Sequence, residues 1–304
     1  MQHRSRPFSR FLAVPLLAGL AVLGVAGSQP VPPDPVDREL REHLSAADIR
    51  PAPDAPPDPV DPELREIIDR ALERAAWAED EGFDTRYRRA MTQRVQRFDG
   101  DGEVTDDETL LYEVEPYRGA VFSRLTARNG EPLDARGRRE QERRWEEFQA
   151  QIDDPEKRAE REREAAENEI RFDEELVGRY TATLDGVRDL RGRPSYVISF
   201  EPRPGKLPVL RRIDHALNRS RGEVWIDTET YEIARVSFRL MERVRLWWGI
   251  LGSISDATGR LERRPVADDV WLNTEFDVYF HVRVPFRTTR RNTTTQWSEF
   301  ELAD

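Results

Sequence analysis

The stretch "GEVWIDTETYEIARVSFRL" (222–240) decides the fold. Val224 and Ile226 alternate in its first half, and Val236, Phe238 and Leu240 alternate in its second. Between them lies "DTET" (227–230), whose Asp and Thr side chains can hydrogen-bond their own backbone and favour a tight turn. Successive side chains of a strand point to opposite faces. The stretch therefore predicts a strand, a turn and a second strand, with one apolar face and one polar face.

The same period recurs on both sides. "PSYVISFEP" (194–202) sets Tyr196, Ile198 and Phe200 against Ser195, Val197 and Ser199. "DVWLNTEFDVYFHVRV" (269–284) sets Val270, Leu272, Phe276, Val278 and Phe280 against Trp271, Asn273, Glu275, Asp277 and Tyr279. Upstream, "RYRRAMTQRVQRF" (86–98), "ETLLYEVEPY" (108–117) and "GAVFSRLTARNG" (119–130) read as three more strands. Downstream, "FRTTRRNTTTQWSEFEL" (286–302) is expected to form a polar, Thr-rich pair whose second half closes the sheet. Period two over so many segments predicts a mainly β chain with one large antiparallel sheet and one apolar face.

The inner face is expected to carry Ile198, Phe200, Val224, Ile226, Phe238, Leu240, Leu272, Phe276 and Val278, with Trp225, Trp271 and Tyr279 turned outward. The opposite set contains Glu223, Asp227, Asn273, Glu275 and Asp277, which would be costly to bury unpaired. Something must cover the apolar face. In "DPELREIIDRALERAAWAEDEGF" (61–83), Asp61 is an N-cap candidate and Pro62 suits the first helical position. Leu64, Ile67, Ile68, Ala71, Leu72, Ala75 and Ala76 follow on one helical face, and Gly82 ends the helix. The short apolar segment "LWWGILGSIS" (246–255) is a second covering element, as a helix or lid.

Between the two groups of strands the pattern changes. From about Leu133 to Phe172, Arg and Glu dominate and few residues are apolar. Glu and Arg at i, i+4 spacing support an exposed helix, and Pro155 starts a second helical segment. This insertion is expected to be a solvated excursion separable from the core, with an arm or lid that meets a partner as the alternative.

The N-terminal part carries different information. Arg4, Arg6 and Arg10 precede an apolar run from Phe11 to Gly27, with Val25 and Gly27 small enough for positions −3 and −1 of a signal-peptidase site. Residues 1–27 are thus expected to be a cleavable signal peptide, and the mature chain periplasmic. The end of that run resembles a lipoprotein signal, but Ser28 stands where the acylated cysteine would be, so no lipid anchor is expected. Residues 28–61 are Pro-rich and contain the near-duplicates "PPDPVDRELRE" (32–42) and "PPDPVDPELRE" (56–66), as expected of an extended linker. Residues 62–304 are expected to form the folded domain.

Composition narrows the function. A net charge of −11 speaks against a nucleic-acid partner. There is no cysteine for disulfide or thiol chemistry. Of the four histidines, none falls at metal-ligand spacing, and no P-loop, G-x-S-x-G or G-x-G-x-x-G occurs. The acidic run from Asp99 to Glu108 has Leu110 where a calcium loop needs its last glutamate, so a hairpin turn is expected there. The expectation is a binding protein, not an enzyme, with no cofactor and no metal.

Three segments carry a resemblance. "LVGRYTATLDGVRDLRGRPSYVISFEPRPGK" (176–206), "IDHALNRSRGEVWIDTETYEIARVSFRL" (213–240) and "DVWLNTEFDVYF" (269–280) resemble the LolA/LolB-like envelope family. Within it the chain is closest to secreted proteins described as outer-membrane lipoprotein-sorting proteins, with RseB-type sensors as a related branch. The shared features are a "G-x-x-W-I-D" strand, here Gly222 to Asp227, and an "x-V-W-L" strand, here Val270 to Leu272. The resemblance implies a curved half-barrel with helices covering its concave side. It also implies a hollow, lined by the nine inner residues, that receives the acyl chain of a lipid or lipoprotein. An envelope protein partner and a sensing role, with a filled core and no lipid, are the alternative.

Overall fold

The computed structural model describes residues 61–166, 169–211, 213–246, 252–284 and 287–303. The expected signal peptide and nearly all of the linker lie outside these residues, as do Trp247 to Leu251. Helix α1 (Pro62–Glu81) opens the domain. Asp61 caps it by accepting from the Glu63 N–H at 3.0 Å, and Gly82 ends it at φ 62°. That left-handed conformation favours a residue without Cβ. A short 3-10 turn (Phe83–Thr85) leads into the strands.

The strands are β1 (Tyr87–Phe98), β2 (Val104–Tyr117), β3 (Ala120–Arg128), β4 (Glu131–Pro132), β5 (Tyr180–Leu190), β6 (Arg193–Pro202), β7 (Ser220–Asp227), β8 (Ile233–Leu240), β9 (Val244–Leu246), β10 (Gly252–Ala267), β11 (Val270–Val284) and β12 (Arg287–Leu302). They form one curved sheet in the order β4-β3-β2-β1-β12-β11-β10-β8-β7-β6-β5, with β9 beside β10. Every pairing is antiparallel, and β4 and β5 stand at open ends. The expected fold class is therefore the observed one.

Two segments differ from expectation. Residues 287–302 are one long central strand, not a pair closing the edge. Thr293 and Thr295 are buried on it, so β-branched side chains fill an inner face that an apolar pattern would not reveal. The expected lid at 246–255 is also corrected in part, because Ser253 to Ser255 belong to β10, where Ser253 and Ile254 pair with β11.

The insertion folds as α2 (Ala135–Asp153) and α3 (Pro155–Ala166), broken at Asp154, whose carboxylate accepts from the Glu156 and Lys157 N–H groups. It is not a free excursion throughout. Phe148 and Ile152 of α2 are buried against Phe122, with Tyr117 and Trp145 beside them. Gln141 accepts from the Leu125 N–H at 3.2 Å, so α2 satisfies part of the free edge of β3. Of the insertion's two helices, α2 has buried residues and α3 has none.

Three apolar clusters lie on the main part of the sheet. Leu64, Ile67 and Ala71 of α1 pack on Ile198, Val224, Ile226 and Ile233. Ala76, expected on that face, is exposed. A second cluster gathers Val244, Ile254, Leu261, Phe276, Val278, Phe280 and Val282. A third joins Tyr87 to Val270 and Leu272.

Candidate functional site

The first cluster does not fill the hollow. Between α1, strands β5–β8 and a covering segment lies an apolar cavity of about 150 Å³. Its floor includes Ala182, Ile198, Phe200, Val224, Ile226, Val236 and Phe238, and Leu261 and Phe276 form one side. The cover comes from α4 (Glu174–Gly178) and α5 (Asp214–Leu217), together with Ile170 and Phe172 just before α4.

The cover is fastened by charge. The Arg179 guanidinium, after α4, lies 3.2 Å from the Asp214 carboxylate of α5, and both side chains are buried. Asp214 also accepts from the Leu210 and Arg211 N–H groups at 2.8 and 2.9 Å. Arg179 donates to the Pro208 carbonyl and to Asn218. Arg171 pairs with Glu79 of α1 at 3.3 Å, so the segment carrying Ile170 and Phe172 is tied to the helix opposite. Burial raises the Glu79 carboxyl above its usual range, while Arg171 acts against that shift. Further back along α1, Arg74 is held by Glu232, which accepts from Arg74 at 2.8 Å and from Arg263 at 2.6 Å.

Two hydroxyls reach the cavity wall, and neither is free. Tyr180 donates to the Leu217 carbonyl at 2.8 Å, and Ser220 donates to the Ala216 carbonyl at 2.8 Å. Burial pushes the Tyr180 phenol well above its usual value, so it stays neutral. Both bonds end on the cover, which they join to β5 and β7. Such a surface offers shape and apolar area but no directional partner.

Of the nine expected lining residues, Ile198, Phe200, Val224, Ile226, Phe238 and Phe276 line this cavity. Leu240 and Val278 pack in the second cluster beside it, and Leu272 packs in the third. The pattern placed all nine on an inner face but could not divide that face among three clusters. It also missed Ile170, Phe172, Leu176 and Leu217, which come from irregular or very short segments without a readable period.

The expected outward set is partly sheltered. Trp271 is 4% exposed, with the Arg193 guanidinium 5.4 Å from its ring. Trp225 is half-buried and likewise meets the Arg235 guanidinium at 5.2 Å. Val197, opposite Trp225 in the register, is fully buried, so that face is sheltered here as well. The start of the acidic run, 99–103, forms the expected turn, with Asp99 accepting from the Asp101 and Glu103 N–H groups, and Asp106 to Glu108 lie in β2. Among the described residues no group of three His, Asp or Glu side chains gathers in a way that could hold a metal.

No protein-family model matches the chain, and no curated protein matches it. Solved structures similar to it include a putative outer-membrane lipoprotein-sorting protein domain from Vibrio parahaemolyticus. That match has 12% identity and TM-score 0.28, and covers 77% of this chain and 93% of that one. A LolA superfamily protein from Nitrosomonas europaea matches at 10% identity and TM-score 0.27, over 78% and 94%. The MucA/MucB complex of Pseudomonas aeruginosa matches at 12% identity and TM-score 0.23, over 79% and 99%. Overlap at this level carries no functional step.

Proposed function

We propose that this chain is an exported envelope protein that shelters an acyl chain of a lipid or lipoprotein in the hollow of its sheet. One observation carries the reading: the cavity wall is apolar, and its two hydroxyls are already bonded to backbone carbonyls. A polar ligand would lose its hydration there without finding a partner. An alkyl chain loses nothing and gains about 0.8 kcal/mol per buried methylene. Ile198, Phe200, Val224, Ile226, Phe238 and Phe276 are the contacts on the sheet side, and the head group stays in solvent.

Export rests on the N-terminal pattern. Sequencing the N-terminus of periplasmic protein should read from Ser28, and an intact Met1 in membrane fractions would overturn export. The binding reading is tested by mass spectrometry of an organic extract of purified protein, and by titration of the delipidated protein with a fluorescent fatty acid. Bound lipid or saturable uptake of the probe supports it. Folded protein that yields no lipid and takes up no probe would instead be an interaction or sensing module with a filled core.

A further inference from the structure

The sheet beneath the cavity carries a row of alternating large and absent side chains. Across β6, β7, β8 and β10, Phe200 pairs with Gly222, Gly222 with Phe238, and Phe238 with Gly259. Val278 of β11 stands opposite Gly259 on its far side. The Phe238 ring leans across Gly259, and a Cβ on that glycine would fall well inside contact distance of the ring. Phe238, Leu261 and Phe276 line the cavity, and Leu261 and Phe276 also belong to the second apolar cluster, which continues to Val278 and Leu240.

We infer that Phe238, seated on Gly259, is the end stop of the cavity and sets the length of acyl chain that it accepts. The inference rests on the acyl-chain reading above and names its ligand more closely: a single alkyl chain of limited length. The geometry gives the reason. The ring lies over Gly259, whose far-side strand partner Val278 belongs to an apolar cluster into which the cavity could otherwise extend. It lies low over the sheet only because Gly259 has no side chain. A cavity of about 150 Å³ is the size that holds a benzene ring in an engineered apolar site, so room for about six carbons is expected. Phe238 contacts the ligand, and Gly259 is a positioning residue that acts through the ring.

The test is a calorimetric titration of delipidated full-length protein with straight-chain carboxylates from butyrate to myristate. Affinity should rise about fourfold per methylene, equivalent to about 0.8 kcal/mol each, and then level off near hexanoate or octanoate. Phe238→Ala should move the plateau to longer chains, and Phe238→Leu should move it less. Gly259→Ala should lift the ring into the cavity and move the plateau to shorter chains. Circular dichroism and a melting curve accompany each variant, and if Gly259→Ala does not fold, the two Phe238 variants decide. A plateau that stays in place in folded Phe238→Ala would overturn the stop while leaving the acyl-chain reading intact. No binding of any carboxylate by the folded wild type would overturn that reading itself.

Discussion

At the scale of single residues, the buried carboxylates show how charge is met inside this sheet. Asp227, at the end of β7, is 1% exposed. It accepts from Arg193 at 2.7 and 2.9 Å, and from the Thr230 N–H at 2.9 Å. Burial pushes its carboxyl up, but the hydrogen bonds from Arg193 and Thr230 outweigh this and hold it below the usual 3.8. A folded value below the unfolded one means that the stabilisation is complete above about pH 4 and is lost as pH falls through the folded value. Asp227→Asn should therefore cost about 2 kcal/mol at neutral pH, seen as a melting temperature lower by about 4–8 °C. The gap between variant and wild type should narrow on acidification, and an equal gap at about pH 7 and about pH 3 would contradict this account. The sequence marks Asp227 as costly to bury, which is correct, but the partner that makes burial tolerable lies 34 positions away. Trp271 repeats the lesson, because only the fold brings Arg193 over its ring.

At the scale of elements, legibility follows periodicity. Strands β6, β7, β8 and β11 were readable because one face is covered and the other is largely polar, so alternation survives in the sequence. Strand β12 was not, since its buried inner face includes Arg291, Thr293 and Thr295. Helix α2 has a stripe at Gln141, Trp145, Phe148 and Ile152, yet so many Arg and Glu surround it that composition points to a fully solvated helix. The two helices of the insertion should respond differently to mutation. Phe148 is 5% exposed among Phe122, Tyr117 and Trp145, so Phe148→Ala should cost about 3–5 kcal/mol. Replacing α3 by a short Gly/Ser loop should leave the melting temperature within about 1–2 °C of the wild type, because no residue of α3 is itself buried and Arg161 meets α2 only through its guanidinium, over Phe148 and beside Gln151. Both can be read from thermal unfolding followed by circular dichroism. A large loss on replacing α3 would mean that its charged surface helps hold the cover in place.

At the scale of the whole molecule, β12 joins two halves with different duties. It pairs with β1 on one side and β11 on the other, linking the N-terminal strands and α2 to the strands that carry the cavity. The cover over the cavity fastens to α1 and to the β5–β8 side, through Arg171–Glu79, Tyr180, Ser220 and the Arg179–Asp214 pair. It can therefore loosen without disturbing β1–β3. Asp214→Asn removes one of the two carboxylates facing Arg179, the other being Glu175 at 2.6 Å, and so loses charge-assisted hydrogen bonds worth about 1.5–3 kcal/mol. If that loss falls on the cover alone, amide hydrogen exchange in α4 and α5 should quicken by about tenfold to a hundredfold, while β1–β3 exchange as in the wild type. Adding a saturating straight-chain carboxylate should slow exchange in the cover of the wild type, since a ligand that binds only the closed form stabilises it. Faster exchange spread evenly over all strands in Asp214→Asn would show instead that the ion pair supports the entire sheet, and that cover and sheet unfold as one unit.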